Sequence, residues 1–192
     1  MSSTYMQLRN NLEYLKMNQM NENLDETLDY ITKNNLSFTD GLIKLTQVEI
    51  DHREKNMIKS MVKVGAFPHQ RELKDFDFDF QPSINKQQIL DFETLRFVEN
   101  SENIVFLGNS GVGKTHLAVS LGIAAAKRRN STYFIKCHDL IQQLKKANRE
   151  NRLEDRLRHF AKYKVLIIDE LEYLPIQKED AKLFFQLIDR RY

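Results

Sequence analysis

The first third of the chain shows the three-to-four-residue spacing of amphipathic helices. Two series of apolar residues carry it: Tyr5, Leu8, Leu12 and Leu15, and then Leu24, Leu28 and Ile31. The Asn34-Asn35 pair interrupts this spacing, and Ser37 or Thr39 can cap a further helix that follows. Residues 5–64 are therefore predicted to form a small helical unit.

The second half of the chain has a different pattern, in which short apolar runs alternate with helical segments. The apolar segments are residues 103–107, 132–135 and 164–168, and short apolar runs within them, such as 165–168, are typical of buried parallel strands. Helical spacing follows each run, ending with a helix that carries Leu183, Phe184, Leu187 and Ile188. Alternating strands and helices predict an α/β fold, with a parallel sheet, right-handed crossovers and flanking helices.

A connector separates the two patterns. Residues 75–80 alternate Asp with Phe, which predicts an extended segment with Phe76, Phe78 and Phe80 against one surface. A helix over residues 87–100 then leads into the first apolar run. We therefore expect a helical domain at 1–64, a connector and lead-in helix at 65–100, and an α/β core at 101–192.

The most specific motif follows the apolar run at 103–107. Residues 108–115 read G-x-x-x-x-G-K-T, the phosphate-binding loop of nucleoside triphosphatases. Glycines allow backbone N–H groups to surround phosphates, and the next helix adds the positive end of its dipole. Lys114 is predicted to bind the phosphates and Thr115 to bind Mg²⁺. The predicted nucleotide-binding residues are Gly108, Asn109, Ser110, Gly111, Val112, Gly113, Lys114 and Thr115.

A second motif supports the first. The run at 164–168 ends in Asp169 and Glu170, and ligands of open α/β sheets bind at the carboxyl ends of the strands. Asp169 is predicted to hold Mg²⁺ directly or through water. Glu170 is predicted to polarise the water that attacks the terminal phosphate. Lys114, Asp169 and Glu170 are thus the candidate catalytic residues.

Composition restricts the classes of protein. No apolar run approaches the 18 residues of a transmembrane helix, and the first ten residues lack a secretory signal. The single cysteine, Cys137, excludes an internal disulfide and favours the reducing cytoplasm. Five scattered histidines lack the spacing of metal ligands, and His116 fits an ordinary helical position.

Charge is unevenly distributed, although the net charge is only +2. Residues 1–100 hold 12 Lys/Arg and 16 Asp/Glu, whereas residues 101–192 hold 17 and 11, which suggests an anionic partner for the second half. Two basic clusters are candidate nucleic-acid contacts: Lys55, Lys59 and Lys63, and Arg149, Arg152, Arg156 and Arg158. Solvated, self-paired helix faces explain both clusters equally simply.

Several strings resemble one family. They include Phe76-Asp77-Phe78, Gln81-Pro82-Ser83, Asp169 to Pro175, and Leu183 to Ile188. On these and the phosphate loop, the chain resembles the IstB-like insertion-sequence transposase helper ATPases of the AAA+ superfamily, in the branch shared with DnaC-like helicase loaders. The resemblance implies ATP and Mg²⁺ as cofactors, homo-oligomers on DNA, and assistance to a transposase. It also implies a partner-binding or DNA-binding role for the helical domain at 1–64 and a partial ATP-binding core at 101–192.

Two alternatives remain open. One is a DnaC-like loader of a replicative helicase, which uses the same core. The other is a nucleotide-binding module without efficient hydrolysis. Small-molecule kinases lack the Asp-Glu pair at a strand end, and transporter-type ATPases carry a Leu-Ser-Gly-Gly signature that this chain does not have.

The end of the chain departs from the resemblance. The superfamily continues to a strand with a polar sensor, an arginine finger and a fifth strand, whereas this chain stops at Arg190-Arg191-Tyr192. The position of Arg190 and Arg191 on the last helix does not match a finger. We expect a C-terminally truncated core that binds ATP, hydrolyses it slowly and leaves an apolar gap in its sheet.

Overall fold

The computed structural model describes residues 3–171 and 178–191. Its contacts divide the chain into two compact units, Met1–Lys59 and Ser60–Tyr192. Glu172, Tyr173, Leu174 and Pro175, which contribute to the family resemblance, lie outside the described residues. No helix in the described part of the chain is long and apolar enough to span a membrane.

The first unit is helical, as predicted. Its elements are α1 (Ser3–Tyr14), α2 (Asn18–Glu22), α3 (Leu24–Asn34) and α4 (Phe38–Val64), the last of which continues into the second unit. Asn35 adopts the left-handed conformation that ends α3. The Ser37 hydroxyl then accepts a hydrogen bond from the Asp40 amide at 3.2 Å, so the predicted cap of α4 is confirmed.

The core of this unit contains one buried carboxylate. Leu12, Met20, Leu24 and Leu45 form the apolar cluster. Glu49, which is 7% exposed, accepts hydrogen bonds from the backbone amides of Gln19 and Met20 at the start of α2 and from the Arg53 guanidinium. A charged side chain in this setting needs such partners, since burial without them is costly.

The second unit surrounds a parallel pair of strands. In the described residues it contains α5 (Lys86–Glu93), α6 (Arg96–Glu99), α7 (Lys114–Lys127), β1 (Thr132–Lys136), α8 (Cys137–Arg149), α9 (Leu153–Ala161), β2 (Val165–Asp169) and α10 (Lys178–Arg191). β1 pairs in parallel with β2, from Thr132 opposite Val165 to Lys136 opposite Asp169. The carboxyl ends of both strands therefore meet at one edge.

Alternating side chains place helices on both faces of this pair. Phe134 packs with Val119 and Ile123 of α7. Ile135 faces the other way, into a cluster with side chains of α8, α9 and α10, which contains Leu140, Leu144, Leu157, Phe160, Leu183 and Leu187. The predicted α/β class, with a parallel sheet, flanking helices and preceding N-terminal helices, is confirmed.

The first apolar run does not form the predicted strand. Residues 104–107 are extended and form no backbone–backbone hydrogen bond with another described segment, and the sheet of the described residues has two strands rather than three. Ile104 and Phe106 are half-buried, whereas Val105 is 75% and Leu107 84% exposed. The alternation is that of a strand, but a strand also needs a hydrogen-bonded neighbour, and no described segment lies in that position.

The connector also differs in part from the prediction. Phe76 and Phe78 pack beside the buried Leu73, Ile89 and Leu117 as expected. Phe80 is 71% exposed, because the Asp77 carboxylate accepts hydrogen bonds from the amides of residues 79 and 80 and turns the chain. The lead-in helix is likewise interrupted, at Leu95, which has a φ of 68°.

The two arginines that end α10 have structural partners. The Arg191 guanidinium donates to the carbonyls of Phe160, Tyr163 and Lys164, at 3.2, 2.7 and 3.3 Å, and so caps the end of α9. Arg190 pairs with Glu154 of α9 at 2.5 Å. Both contacts agree with their exclusion as arginine fingers.

Candidate functional site

The glycine-rich loop lies directly before α7. Gly111 and Gly113 have φ values of 82° and 93°, in the left-handed region that glycine adopts without strain. Gly113 is also the N-cap of α7, so Lys114 and Thr115 are its first two residues. The first-turn amides of this 14-residue helix have no partner within the helix, and such amides favour anions.

The lysine of the loop lies over the loop backbone. The Lys114 ammonium donates to the carbonyl of Asn109 at 2.9 Å and to that of Gly108. Asn109, Ser110 and Gly111 are exposed, and Val112 is half-buried. A positive charge, exposed amides and a helix N-terminus are therefore close together, as the binding of phosphate groups requires.

The second motif meets the first through a side-chain contact. The Thr115 hydroxyl donates a hydrogen bond to the Asp169 carboxylate at 2.9 Å, across 54 positions of sequence. The contact joins the start of α7 to the end of β2 and brings together two oxygen ligands of the type that Mg²⁺ prefers. Among the described residues, no cluster of three or more His, Cys, Asp or Glu side chains can hold a metal ion. A Mg²⁺ at this position would therefore take its remaining ligands from phosphate and water.

Glu170 lies beside this contact but has a different partner. Its backbone adopts a φ of 57°, an uncommon conformation for a residue other than glycine. Its carboxylate forms an ion pair with Lys136, at 2.7 Å, and this hydrogen bond raises the pKa of the lysine above its ordinary value. The lysine is therefore charged at neutral pH and holds the carboxylate at the end of β1.

Sequence reasoning missed Lys136. The sequence feature that could have identified it is its position as the last residue of β1. The carboxyl ends of parallel strands meet at the same edge of a sheet, so Lys136 lies beside the end of β2. Two connector contacts were also missed. The Phe76 ring lies 2.6 Å from where a Cβ on Gly113 would be, and His116 is within hydrogen-bonding distance, 3.2 Å, of the Glu72 carbonyl. His116 thus joins the connector to α7, which agrees with its predicted non-catalytic position.

The two candidate nucleic-acid clusters lie away from this site in sequence and differ from each other. Lys55, Lys59 and Lys63 are all exposed on α4, and no described carboxylate forms an ion pair with them. In the second cluster, Arg152 pairs with Glu150, and Arg158 pairs with Asp155 at 3.7 Å. Arg149 and Arg156 have no such partner in the described part of the chain. The self-paired interpretation thus accounts for only half of the arginine cluster.

Several known proteins are similar in sequence to this chain. Over its full length, the chain is 68% identical to the ATP-binding protein named for insertion sequence IS232 of Bacillus thuringiensis subsp. berliner, and it covers 77% of that relative. It is 41% identical over 173 residues to the IS5376 protein of Geobacillus stearothermophilus. This matched region is 90% of this chain and 69% of the relative. It is 39% identical over 181 residues to the IS21 protein of Pseudomonas aeruginosa, with 94% and 68% covered.

The model of one protein family matches almost the whole chain. The match extends over residues 10–192 and includes the glycine-rich loop, the carboxylates that end β2, and most of the N-terminal helices. The chain therefore belongs to the family described as IstB-like ATP binding protein.

Proposed function

We propose that this chain is an ATP-binding protein of an insertion sequence, which uses ATP to assist DNA transposition. The observation that supports this proposal most directly is the hydrogen bond between Thr115 and Asp169, since it joins the phosphate loop to the strand-end carboxylate. The relatives are named for insertion sequences, which favours transposition over helicase loading. The protein acts in the cytoplasm as a homo-oligomer with DNA and a transposase.

Each side chain of the site has a role in this proposal. Residues 108–113 present backbone amides to the phosphates, and Lys114 adds a charge-assisted hydrogen bond. Thr115 and Asp169 hold Mg²⁺, which when bound neutralises charge on the phosphates. Glu170 accepts a proton from the attacking water.

The ion pair of Glu170 favours a second candidate function, nucleotide binding without efficient turnover. A carboxylate oxygen that accepts a hydrogen bond from the Lys136 ammonium, at 2.7 Å, is not available to accept a proton from the attacking water. While Lys136 holds Glu170, the chain binds ATP and hydrolyses it poorly. A partner that breaks the ion pair between Lys136 and Glu170 would then allow hydrolysis.

Titration calorimetry with ATP and Mg²⁺ tests the nucleotide site. Lys114→Ala removes a charge-assisted hydrogen bond of about 1.5–3 kcal/mol and should weaken ATP binding on the order of 10- to 100-fold. Lys182→Ala, at an exposed position of α10, is the matched control and should leave the affinity unchanged. Equal affinity in both variants would contradict the loop assignment.

Two conservative substitutions separate the roles of the carboxylates. Glu170→Gln should keep ATP binding and suppress hydrolysis, because an amide cannot accept the proton. Asp169→Asn should instead reduce the dependence of ATP affinity on Mg²⁺. Identical behaviour of the two variants in both measurements would show that this division of roles is wrong.

A further inference from the structure

A solvent-filled cleft of about 480 Å³ lies between α8 and α9. The buried side chains of Leu140, Leu144, Leu157 and Phe160 hold these helices together in the core. The polar side chains that line the cleft are those of Gln143, Lys146, Glu150, Arg152, Asp155, Arg156 and His159. The cleft lies on elements other than those of the nucleotide site, so its charges need a separate explanation.

The cations of the cleft exceed what its acids can neutralise. Glu150 pairs with Arg152, and Asp155 pairs with Arg158, whose side chain does not line the cleft. Arg152 contributes most to lowering the pKa of Glu150, with a smaller contribution from Lys146. Lys146 and Arg156 themselves form no ion pair in the described part of the chain. The cleft thus presents one ammonium and one guanidinium without a carboxylate.

Arg156 lies beside an aromatic ring. Its guanidinium carbon lies 5.3 Å from the centre of the Phe160 ring, and Phe160 is fully buried. A cation–π contact attracts the guanidinium to the ring, and its N–H groups can still donate hydrogen bonds. A planar group with paired donors matches two oxygens of one phosphate.

His159 is a further polar side chain of the cleft and carries no charge. Burial lowers the pKa of His159, and the nearby Lys162 and Arg156 lower it further, so the imidazole is neutral at pH 7. Its ring packs edge-on against Tyr133, Phe160 and Tyr163. The ligand that these side chains fit is therefore an anion with several oxygen acceptors.

We propose that the α8–α9 cleft binds a backbone phosphate of a DNA strand, with Lys146 and Arg156 as its contacts. This inference rests on the proposed role in DNA transposition. The unpaired Arg149 at the end of α8 extends the same positive surface beyond the cleft, as a strand with repeating phosphates requires. The sequence prediction named only the four arginines of this region and did not include Lys146.

Fluorescence anisotropy of a labelled DNA duplex, measured at several salt concentrations, tests the cleft. Lys146→Ala and Arg156→Gln should each weaken binding about 3- to 10-fold, and the double variant should lower the salt slope by about 0.9 for each phosphate that is no longer neutralised. Arg156→Lys should bind at an intermediate level, because it keeps the charge without the paired donors. Lys182→Gln, which removes an exposed cation of α10 outside the cleft and outside both basic clusters, is the matched control and should change affinity less than twofold.

Three outcomes separate the two proposals. If the double variant binds DNA like wild type with an unchanged salt slope, the cleft is not the site and the DNA role stands. If wild-type protein does not bind the duplex at low salt, both the DNA role and the cleft assignment are wrong, whatever the calorimetric ATP affinity. If the double variant loses ATP affinity together with DNA affinity, the cleft binds nucleotide phosphate or supports the fold, and the DNA assignment is overturned.

Discussion

Glu170 has an uncommon backbone conformation and a lysine partner within the proposed catalytic site. If the ion pair with Lys136 keeps the Glu170 carboxylate away from the attacking water, Lys136→Met should raise the single-turnover rate of ATP hydrolysis by about 3- to 10-fold. The affinity for ATP should stay within about twofold, since Lys136 lies outside the phosphate loop. Lys164→Met, an exposed lysine next to β2, serves as the control. A lower rate in Lys136→Met would show that the lysine assists hydrolysis.

Glu49 makes the stability of the first unit depend on pH. Burial alone would raise the pKa of its carboxyl, but hydrogen bonds from Arg53, Met20 and Gln19 outweigh burial, and the net pKa is lowered. Its stabilising contribution is therefore complete above the ordinary pKa of glutamate, about 4.3, and is lost as the pH falls through the lower folded value. Unfolding by urea at pH 7 and at pH 3 should show this loss.

The matched variant for this test is Glu49→Gln. It should be less stable than wild type at pH 7 by about 1–3 kcal/mol, because a neutral amide replaces the carboxylate that accepts from two amides and a guanidinium. The difference should shrink as the pH falls from 7 to 3, because the wild-type carboxyl is progressively protonated below about 4.3, first in the unfolded state. A difference that stays constant from pH 7 to pH 3 would assign the effect to packing rather than to charge.

At the scale of elements, the loop before α7 depends on two glycines for different reasons. A Cβ at Gly111 would meet no atom within 4 Å, whereas a Cβ at Gly113 would lie 2.6 Å from the Phe76 ring. Gly111→Ala should therefore cost only the left-handed backbone strain, about 1–2 kcal/mol. Gly113→Ala should cost this and at least about 1 kcal/mol more, measured by urea unfolding.

The double variant Gly113→Ala with Phe76→Ala isolates the clash. If Phe76 causes the extra cost, Gly113→Ala should be less destabilising in a Phe76→Ala background than in wild type. Phe76→Ala alone destabilises by loss of packing, so only the difference between backgrounds is informative. Equal costs of Gly113→Ala in both backgrounds would show that backbone strain alone requires this glycine.

The parts of the fold and site that the sequence predicts are those with local causes. Residues 108–115 and the Asp169-Glu170 end of β2 follow from contiguous motifs, and the helix starts follow from capping residues such as Ser37. Lys136, the contact of Phe76 with Gly113 and the partners of Arg190 and Arg191 were not predicted, because each depends on contacts between distant segments. The run at 103–107 shows the reverse case, in which a strand-like local pattern has no neighbouring strand in the described structure.

At the scale of the whole chain, the nucleotide site combines side chains from separate elements. Thr115 comes from α7, Asp169 from β2 and Lys136 from β1, and the parallel register of the strands brings their ends to one edge. The helical first unit supplies none of these side chains. Its assignment to partner or DNA binding, with Lys55 and Lys59 as candidate contacts, therefore remains a proposal separate from nucleotide binding.

The exposed apolar side chains at residues 104–107 favour self-association of this chain. Residues 104–107 form no backbone–backbone hydrogen bond within the described structure, and Val105 and Leu107 are exposed beside these groups. An extended apolar edge of this kind pairs readily with another chain. We expect light scattering to show association at concentrations on the order of tens of micromolar.

Substitution of the outward-facing side chains should reduce this association without unfolding the protein. The double variant Val105→Thr with Leu107→Gln should stay smaller than wild type at the same concentration, and its melting temperature should change by less than about 2 °C because both side chains contact solvent. Phe106→Gln is the contrasting variant, because Phe106 packs against the cluster of Leu73, Ile89 and Leu117 and its loss should lower the melting temperature. If the double variant associates as strongly as wild type, another surface causes the association, and the exposed α4 side chains Ile43 and Ile50 would be substituted next.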